Sequence, residues 1–217
     1  MLITKILLYS TGMIFPFLLS GINPAIVLSK LIYHKDIRSC GSGNPGFTNF
    51  KRTFGHKWAW WVLVFDLLKG ALSVVVFACL FEWKLGEWQL GAAYAGLFAM
   101  LGHAYPVYYK FKGGKGFLVY MSVVWFIDWR AGLIAVAIML LLLFTTKYMS
   151  LATNLAMLSC PITLLICKAS PWVIGLCTVS VLFMLWRHRE NIKRLFKGTE
   201  SKTYLFGKKS KKKEEEK

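Results

Sequence analysis

A chain of 217 residues that is 56% hydrophobic and 16% aromatic, with mean hydropathy +0.51, is too apolar for a soluble domain. Its formal net charge of +17 would suit nucleic acid if the cations formed a stripe on a polar domain. They sit instead between apolar runs and in the tail, which is the pattern of a membrane protein and excludes nucleic acid as the partner.

Several runs approach or exceed the roughly 20 residues needed to cross a bilayer. The first spans residues 6–31; it is too long for a signal-peptide core, and Pro16 and Asn23-Pro24 should kink it. Residues 33–57 are polar, basic and glycine-rich. A second span covers 58–80, 82–87 form a turn, and a third span covers 88–108. Residues 110–116 are again basic and glycine-rich, and the fourth span, 117–127, is short for a crossing. Asp128-Trp129-Arg130 precedes spans at 131–146, 151–167 and 171–186. The sequence predicts an all-α membrane protein of about seven helices with partly re-entrant loops, one catalytic domain over 1–207, and a disordered charged tail over 208–217.

Seven crossings put the termini on opposite sides. In that topology 22 of the 27 lysines and arginines share one side, so the C-terminus is expected in the cytoplasm and the N-terminus outside. Asp66 and Lys69 fall inside the second span, i to i+3 on one helical face, either as a structural ion pair or as part of a site. Cys40, Cys79, Cys160, Cys167 and Cys177 make no CxxC pair and no zinc-finger spacing, so they read as packed thiols, and no metal or cofactor is expected.

The glycine-rich segments all fall on the cytoplasmic side. In the first, Gly41, Gly43 and Gly46 could let backbone N–H groups converge on an anion. Ser42, Asn44, Thr48 and Asn49 add donors, and Arg52 a bidentate one. The second, Lys112-Gly113-Gly114-Lys115-Gly116, has the composition of a phosphate cradle but not the spacing of a P-loop. The third, 187–195, should continue helically from the last span, with His188 and Asn191 on one face. Ser150 could simply cap the sixth span.

Together these segments resemble the bacterial acyl-phosphate:glycerol-3-phosphate acyltransferases. The resemblance lies in Asp36-Ile37-Arg38, Gly41-Ser42-Gly43-Asn44 with Thr48-Asn49 and Arg52, Asp66 with Lys69-Gly70, and Gly102-His103 with Pro106. It continues through Phe111 to Gly116, Tyr148 with Ser150-Leu151, His188-Arg189 with Asn191-Ile192, and Gly198-Thr199-Glu200. It implies acyl phosphate and glycerol 3-phosphate as substrates, in the membrane lipid. It also implies Lys112, His188, Asn191 and Ser150 as catalytic residues, and Ser42, Gly43, Asn44, Thr48, Asn49, Arg52, Gly113, Gly114, Lys115 and Glu200 around the phosphates. Phe47 and Phe117-Leu118 stand where the family carries smaller residues, putting bulk near the expected site.

An acyl phosphate is already activated, so the protein need only bind two anions and exclude water. No His-x4-Asp signature of thioester-dependent acyltransferases occurs, and no G-x-S-x-G elbow. The proton of the glycerol hydroxyl would pass to His188 or to a substrate phosphate. An anion transporter would place polar groups on both membrane faces, and a scaffold working through the basic tail would not need Ser42, Lys112 or Asn191.

Overall fold

The computed structural model describes residues 2–203; the predicted tail at 208–217 lies outside them. Among the described residues the only regular structure is helix.

The chain enters as α1 (Leu2–Gly21), in which Pro16 is accommodated, and breaks at Ile22-Asn23 before α2 (Pro24–Tyr33). Asn23 is the reason for the restart. Its side-chain oxygen caps α2 by accepting from the Ile26 amide at 3.1 Å, and Pro24 presets the first helical φ. The Asn23 amide also donates to the Pro45 carbonyl at 3.1 Å, pinning the first polar loop to the break.

That loop is not irregular throughout. It holds an eight-residue helix, α3 (Phe47–Phe54), within the stretch expected to be a polar loop. Phe47 and Phe50 bury one face of it with Ala25, Ile26, Ile37 and Val62. The Phe47 ring packs 5.4 Å from Trp60, so its bulk goes into this small core, not toward the polar site.

Gly55, at φ 87°, separates α3 from α4 (His56–Leu85), a 30-residue helix that absorbs the turn expected at 82–87. At about 1.5 Å per residue α4 is near 45 Å long, more than a hydrocarbon core of about 30 Å. Then come α5 (Trp88–Ala104), α6 (Phe117–Ile127), α7 (Trp129–Thr146), α8 (Met149–Ile166) and α9 (Pro171–Arg187). Asp128 caps α7 by accepting from the Arg130 amide at 2.9 Å, and Ser170 caps α9 ahead of Pro171. The segment after the last span is helical as expected, α10 (Arg189–Phe196), but the chain bends by 60° at His188 instead of running on directly from α9.

α5 is the centre, touching α1, α4, α6 and α9. Small residues make this possible. A Cβ at Gly102 would lie 2.0 Å from the Phe17 carbonyl oxygen, and one at Gly70 would lie 2.3 Å from Ser122 Oγ, so both contacts require glycine.

Among the described residues four stretches are long and apolar enough to cross a membrane: Leu2–Tyr33, His56–Leu85, Trp129–Thr146 and Met149–Ile166. The bent pair α9–α10 makes a fifth at most, while α5 with 17 residues and α6 with 11 are shorter than the roughly 20 that a crossing takes. The expected seven crossings are therefore not reached on length and composition alone.

Candidate active site

Gly198 organises the site. After α10 it takes φ 67°, and two backbone bonds close the helix end, Gly198 N–H to the Leu195 carbonyl at 3.1 Å and Thr199 N–H to the Arg194 carbonyl at 2.9 Å. This reversal returns Glu200 over α10. Its carboxylate accepts from Ser150 Oγ at 2.8 Å, Asn191 Nδ2 at 2.8 Å and Arg194 Nε at 2.7 Å. These hydrogen bonds hold Glu200 below its usual carboxylate range against the opposing effect of its burial. Glu200 thus gathers the Ser150, Asn191 and Arg194 donors on one carboxylate.

Lys115 reaches the same cluster by donating to Asn191 Oδ1. Burial, with Arg194, Arg187 and Arg52 nearby, pushes its ammonium down to about 8 against the pull of Glu200. The strap continues to Thr203, whose amide donates to the Lys147 carbonyl at 2.8 Å and whose hydroxyl accepts from Arg52 at 3.3 Å. Arg52, Lys115, Ser150, Asn191 and Glu200 thus belong to one assembly drawn from α3, the second glycine loop, α8, α10 and the strap.

His188 sits buried at the bend. Its Nδ1 lies 2.9 Å from the Met184 carbonyl, which can only accept, so Nδ1 carries the hydrogen and Nε2 keeps a lone pair. Burial and the Lys115 charge lower it to about 4, so the ring is neutral at pH 7.

The glycine loops differ from the expected amide cradles. The Gly113 and Gly114 N–H groups donate to the Ala104 and His103 carbonyls, both at 3.1 Å, so they hold the loop and not a ligand. In the first loop the Ser42 amide donates to Asn49 Oδ1 at 3.0 Å, and the Gly43 amide to the Cys40 carbonyl at 3.0 Å. Asn49 is buried, and its Nδ2 donates back to Cys40 and Ile37, so its side chain braces the loop from behind. Gly43, at φ 70°, makes the turn. Asn44 and Thr48 are half-buried nearby, and the Ser42 side chain is exposed.

Two arginines outside the predicted site join these parts. Asp36, held at about 2 by hydrogen bonds from Arg38, grips that guanidinium through Nε at 3.0 Å and Nη2 at 2.7 Å. Arg38 Nη1 then donates to the Tyr109 carbonyl at 2.9 Å and the Lys112 carbonyl at 3.4 Å, tying the first loop to the second. Arg187 Nη2 donates to the carbonyls of Gly113 at 3.2 Å and Gly114 at 2.8 Å. The Asp-x-Arg spacing was a visible signal for the first; Arg187 looked like one more topology charge. The Lys112 side chain stands exposed beside these ties. Among the described residues no three His, Cys, Asp or Glu side chains gather as a metal site.

Next to the polar cluster α6 opens an apolar groove of about 520 Å³ against α4 and α7, lined by Phe117, Leu118, Met121, Trp125, Leu63 and Leu67 among others. Only Gly116 separates Lys115 from Phe117, so the bulk foreseen at Phe117-Leu118 forms the upper wall of this groove.

A helical membrane protein with cations clustered around a neutral histidine, beside an apolar groove, belongs to the class of integral membrane enzymes that join an anionic substrate to a lipid chain. The sequence model of the family described as glycerol-3-phosphate acyltransferase matches residues 11–198, and this chain belongs to that family. It is 34% identical over 194 residues to the glycerol-3-phosphate acyltransferase of Coxiella burnetii (strain Dugway 5J108-111), covering 89% of this chain and 97% of that one. It is 41% identical over 195 residues to that of Nitrobacter winogradskyi, covering 87% and 92%. Among solved structures it resembles PlsY (YgiH), an integral membrane glycerol 3-phosphate acyltransferase. The match to the glycerol 3-phosphate form has TM-score 0.81 and 33% identity, over 90% of this chain and 96% of that one. The match to the lysophosphatidic acid form has TM-score 0.78 and 32% identity, over 89% and 94%.

Proposed function

We propose that this chain transfers a fatty acyl group from acyl phosphate to the 1-hydroxyl of glycerol 3-phosphate, giving lysophosphatidic acid and phosphate. The observation that carries the reading is Lys115, which donates to Asn191 in the Glu200 network and stands two positions before Phe117, a lining residue of the apolar groove. One end of an acyl phosphate is a dianion and the other an alkyl chain, and here a cluster of cations and an apolar groove are one residue apart. The solved relative in forms with glycerol 3-phosphate and lysophosphatidic acid supports the acceptor and the product.

In the step itself the 1-hydroxyl oxygen bonds to the acyl carbon, the bond from that carbon to the phosphate oxygen breaks, and the hydroxyl proton leaves on phosphate. His188, near 4, is a poor final acceptor. A phosphate group, with a second pKa of about 6, is better by about two units, or near 3 kcal/mol. His188 instead accepts a hydrogen bond from the hydroxyl at Nε2 and aims its oxygen. Lys112, Lys115 and Arg52 hold the phosphates, while Asn191 and Ser150 complete the wall under the control of Glu200. Seven crossings, with the N-terminus outside and both the site and the C-terminus cytoplasmic, remain the topology that the charge distribution favours. α6 would reach its full crossing only together with the loop before it.

Purified protein given acyl phosphate and glycerol 3-phosphate should form lysophosphatidic acid. Equal rates with an acyl thioester would overturn the choice of donor, and no product from any donor would overturn the reaction.

A further inference from the structure

Three ionisable side chains meet beneath the second glycine loop and take no part in the chemistry above. Asp66 and Lys69, three residues apart on α4, are both buried, with Nζ 2.9 Å from Asp66 Oδ1. The same ammonium lies 3.0 Å from the Ile22 carbonyl at the α1–α2 break and 3.0 Å from Nδ1 of buried His103 on α5. The ammonium thus donates to the Ile22 carbonyl, shares a hydrogen bond with the imidazole nitrogen and forms an ion pair with the carboxylate, while His103 Nδ1 also lies 3.5 Å from Asp66 Oδ1.

His103 passes this arrangement upward. Its carbonyl accepts from the Gly114 amide, and the adjacent Ala104 carbonyl accepts from Gly113. A Cβ on Gly114 would lie 2.1 Å from His103 Nε2, and one on Gly113 would lie 2.1 Å from the His103 carbonyl oxygen. The two glycines therefore lie flat on His103, ring and backbone, while Arg187 grips their carbonyls from the other side. Lys112 and Lys115 flank this pair directly. A tie meant only to join helices would need no such seat for the loop.

We propose that Asp66, Lys69 and His103 are positioning residues. They fix the height and tilt of the Lys112–Lys115 segment through His103, and so set how well its cations meet phosphate. The proposal rests on the reading of that segment as the phosphate site.

The test uses full-length protein in lipid nanodiscs, comparing Lys69→Met, Lys69→Arg and His103→Asn with the parent. Lys69→Met should raise KM for glycerol 3-phosphate about tenfold, with kcat changed less than about threefold. Hydrogen exchange should quicken at the Gly113 and Gly114 amides while those of α8 keep their protection. Lys69→Arg, which retains charge and donors, should recover both readouts. If Lys69→Met fails to insert, His103→Asn decides, because it leaves the Asp66–Lys69 pair intact and should show the same KM shift. An unchanged KM in the inserted variants, or exchange quickened equally along the whole chain, overturns the proposal. Lys112→Ala separates it from the reading it rests on. Full activity there would sink the phosphate assignment, whereas the exchange result judges the triad either way.

Discussion

Glu200 accepts three hydrogen bonds through two oxygens, so its value lies in being an acceptor in every direction. Glu200→Gln keeps the shape but turns one oxygen into an amide that faces a donor. A mispaired group of this kind costs about 1–3 kcal/mol, so thermal stability in detergent should drop and kcat/KM should fall roughly 10- to 100-fold as the Ser150 and Asn191 donors lose their anchor. Lys112→Ala should cost on the order of 2–4 kcal/mol, or about 30- to 1000-fold in rate, with insertion intact. Near-parental turnover would mark Lys112 as a topology charge. Arg52→Lys should also impair turnover, because a point charge cannot reproduce a guanidinium fork. The pH profile follows from two groups. Anion binding needs Lys115 charged, so affinity for glycerol 3-phosphate should weaken as pH rises through about 8. His188 must stay neutral to accept, and that form is lost only as pH drops toward about 4, so an acid limb at about 6 would belong to the substrate phosphate that takes the proton. An acid limb at about 6 that disappears in His188→Gln would contradict this assignment.

At the scale of elements, the long apolar runs were legible because composition alone marks them. α6 matches its predicted bounds of 117–127, and α9 begins at Pro171, where the seventh span is expected to start. What was missed is short. α3 carried its own signal in Phe47, Phe50 and Phe54 at i, i+3 and i+7, but a search for spans passes over eight residues with a polar face. The bend at His188 had no proline or glycine to announce it. It exists because the strap, the bonds to Glu200 and the His188 burial outweigh a straight helix. Of the residues the sequence singled out, Arg52, Lys115, Ser150, Asn191 and Glu200 meet in one assembly, whereas the bonds that Asn49, Gly113 and Gly114 make to the fold depend on packing that no local pattern announces. Gly198→Ala tests the strap. Forcing alanine to φ 67° costs about 1 kcal/mol, which should loosen Glu200 and reproduce part of the Glu200→Gln defect in kcat/KM. A kinetic profile unchanged from the parent would show that the reversal survives without glycine.

For the whole molecule, the one-sided charge is the feature from which a cytoplasmic C-terminus is proposed. A fluorescent protein fused after Lys217 should fold and emit, as it does only in the cytoplasm. Signal instead from an exported reporter at that position would invert the topology and move the site outside. The groove between α4, α6 and α7 has a further consequence. Trp125 and Leu68, among its lining residues, are 40% and 48% exposed, so the groove is open on the side of the bilayer rather than enclosed. An acyl chain lying there would arrive by lateral diffusion and depart the same way. The concentration that matters for the donor is then its mole fraction in the leaflet, not its amount per volume. Diluting a fixed quantity of acyl phosphate with inert phospholipid should slow the reaction, while changing the bulk volume at constant membrane composition should not. The glycerol phosphate, arriving from water, would obey the opposite rule, so one catalyst would answer to a surface and a solution at once.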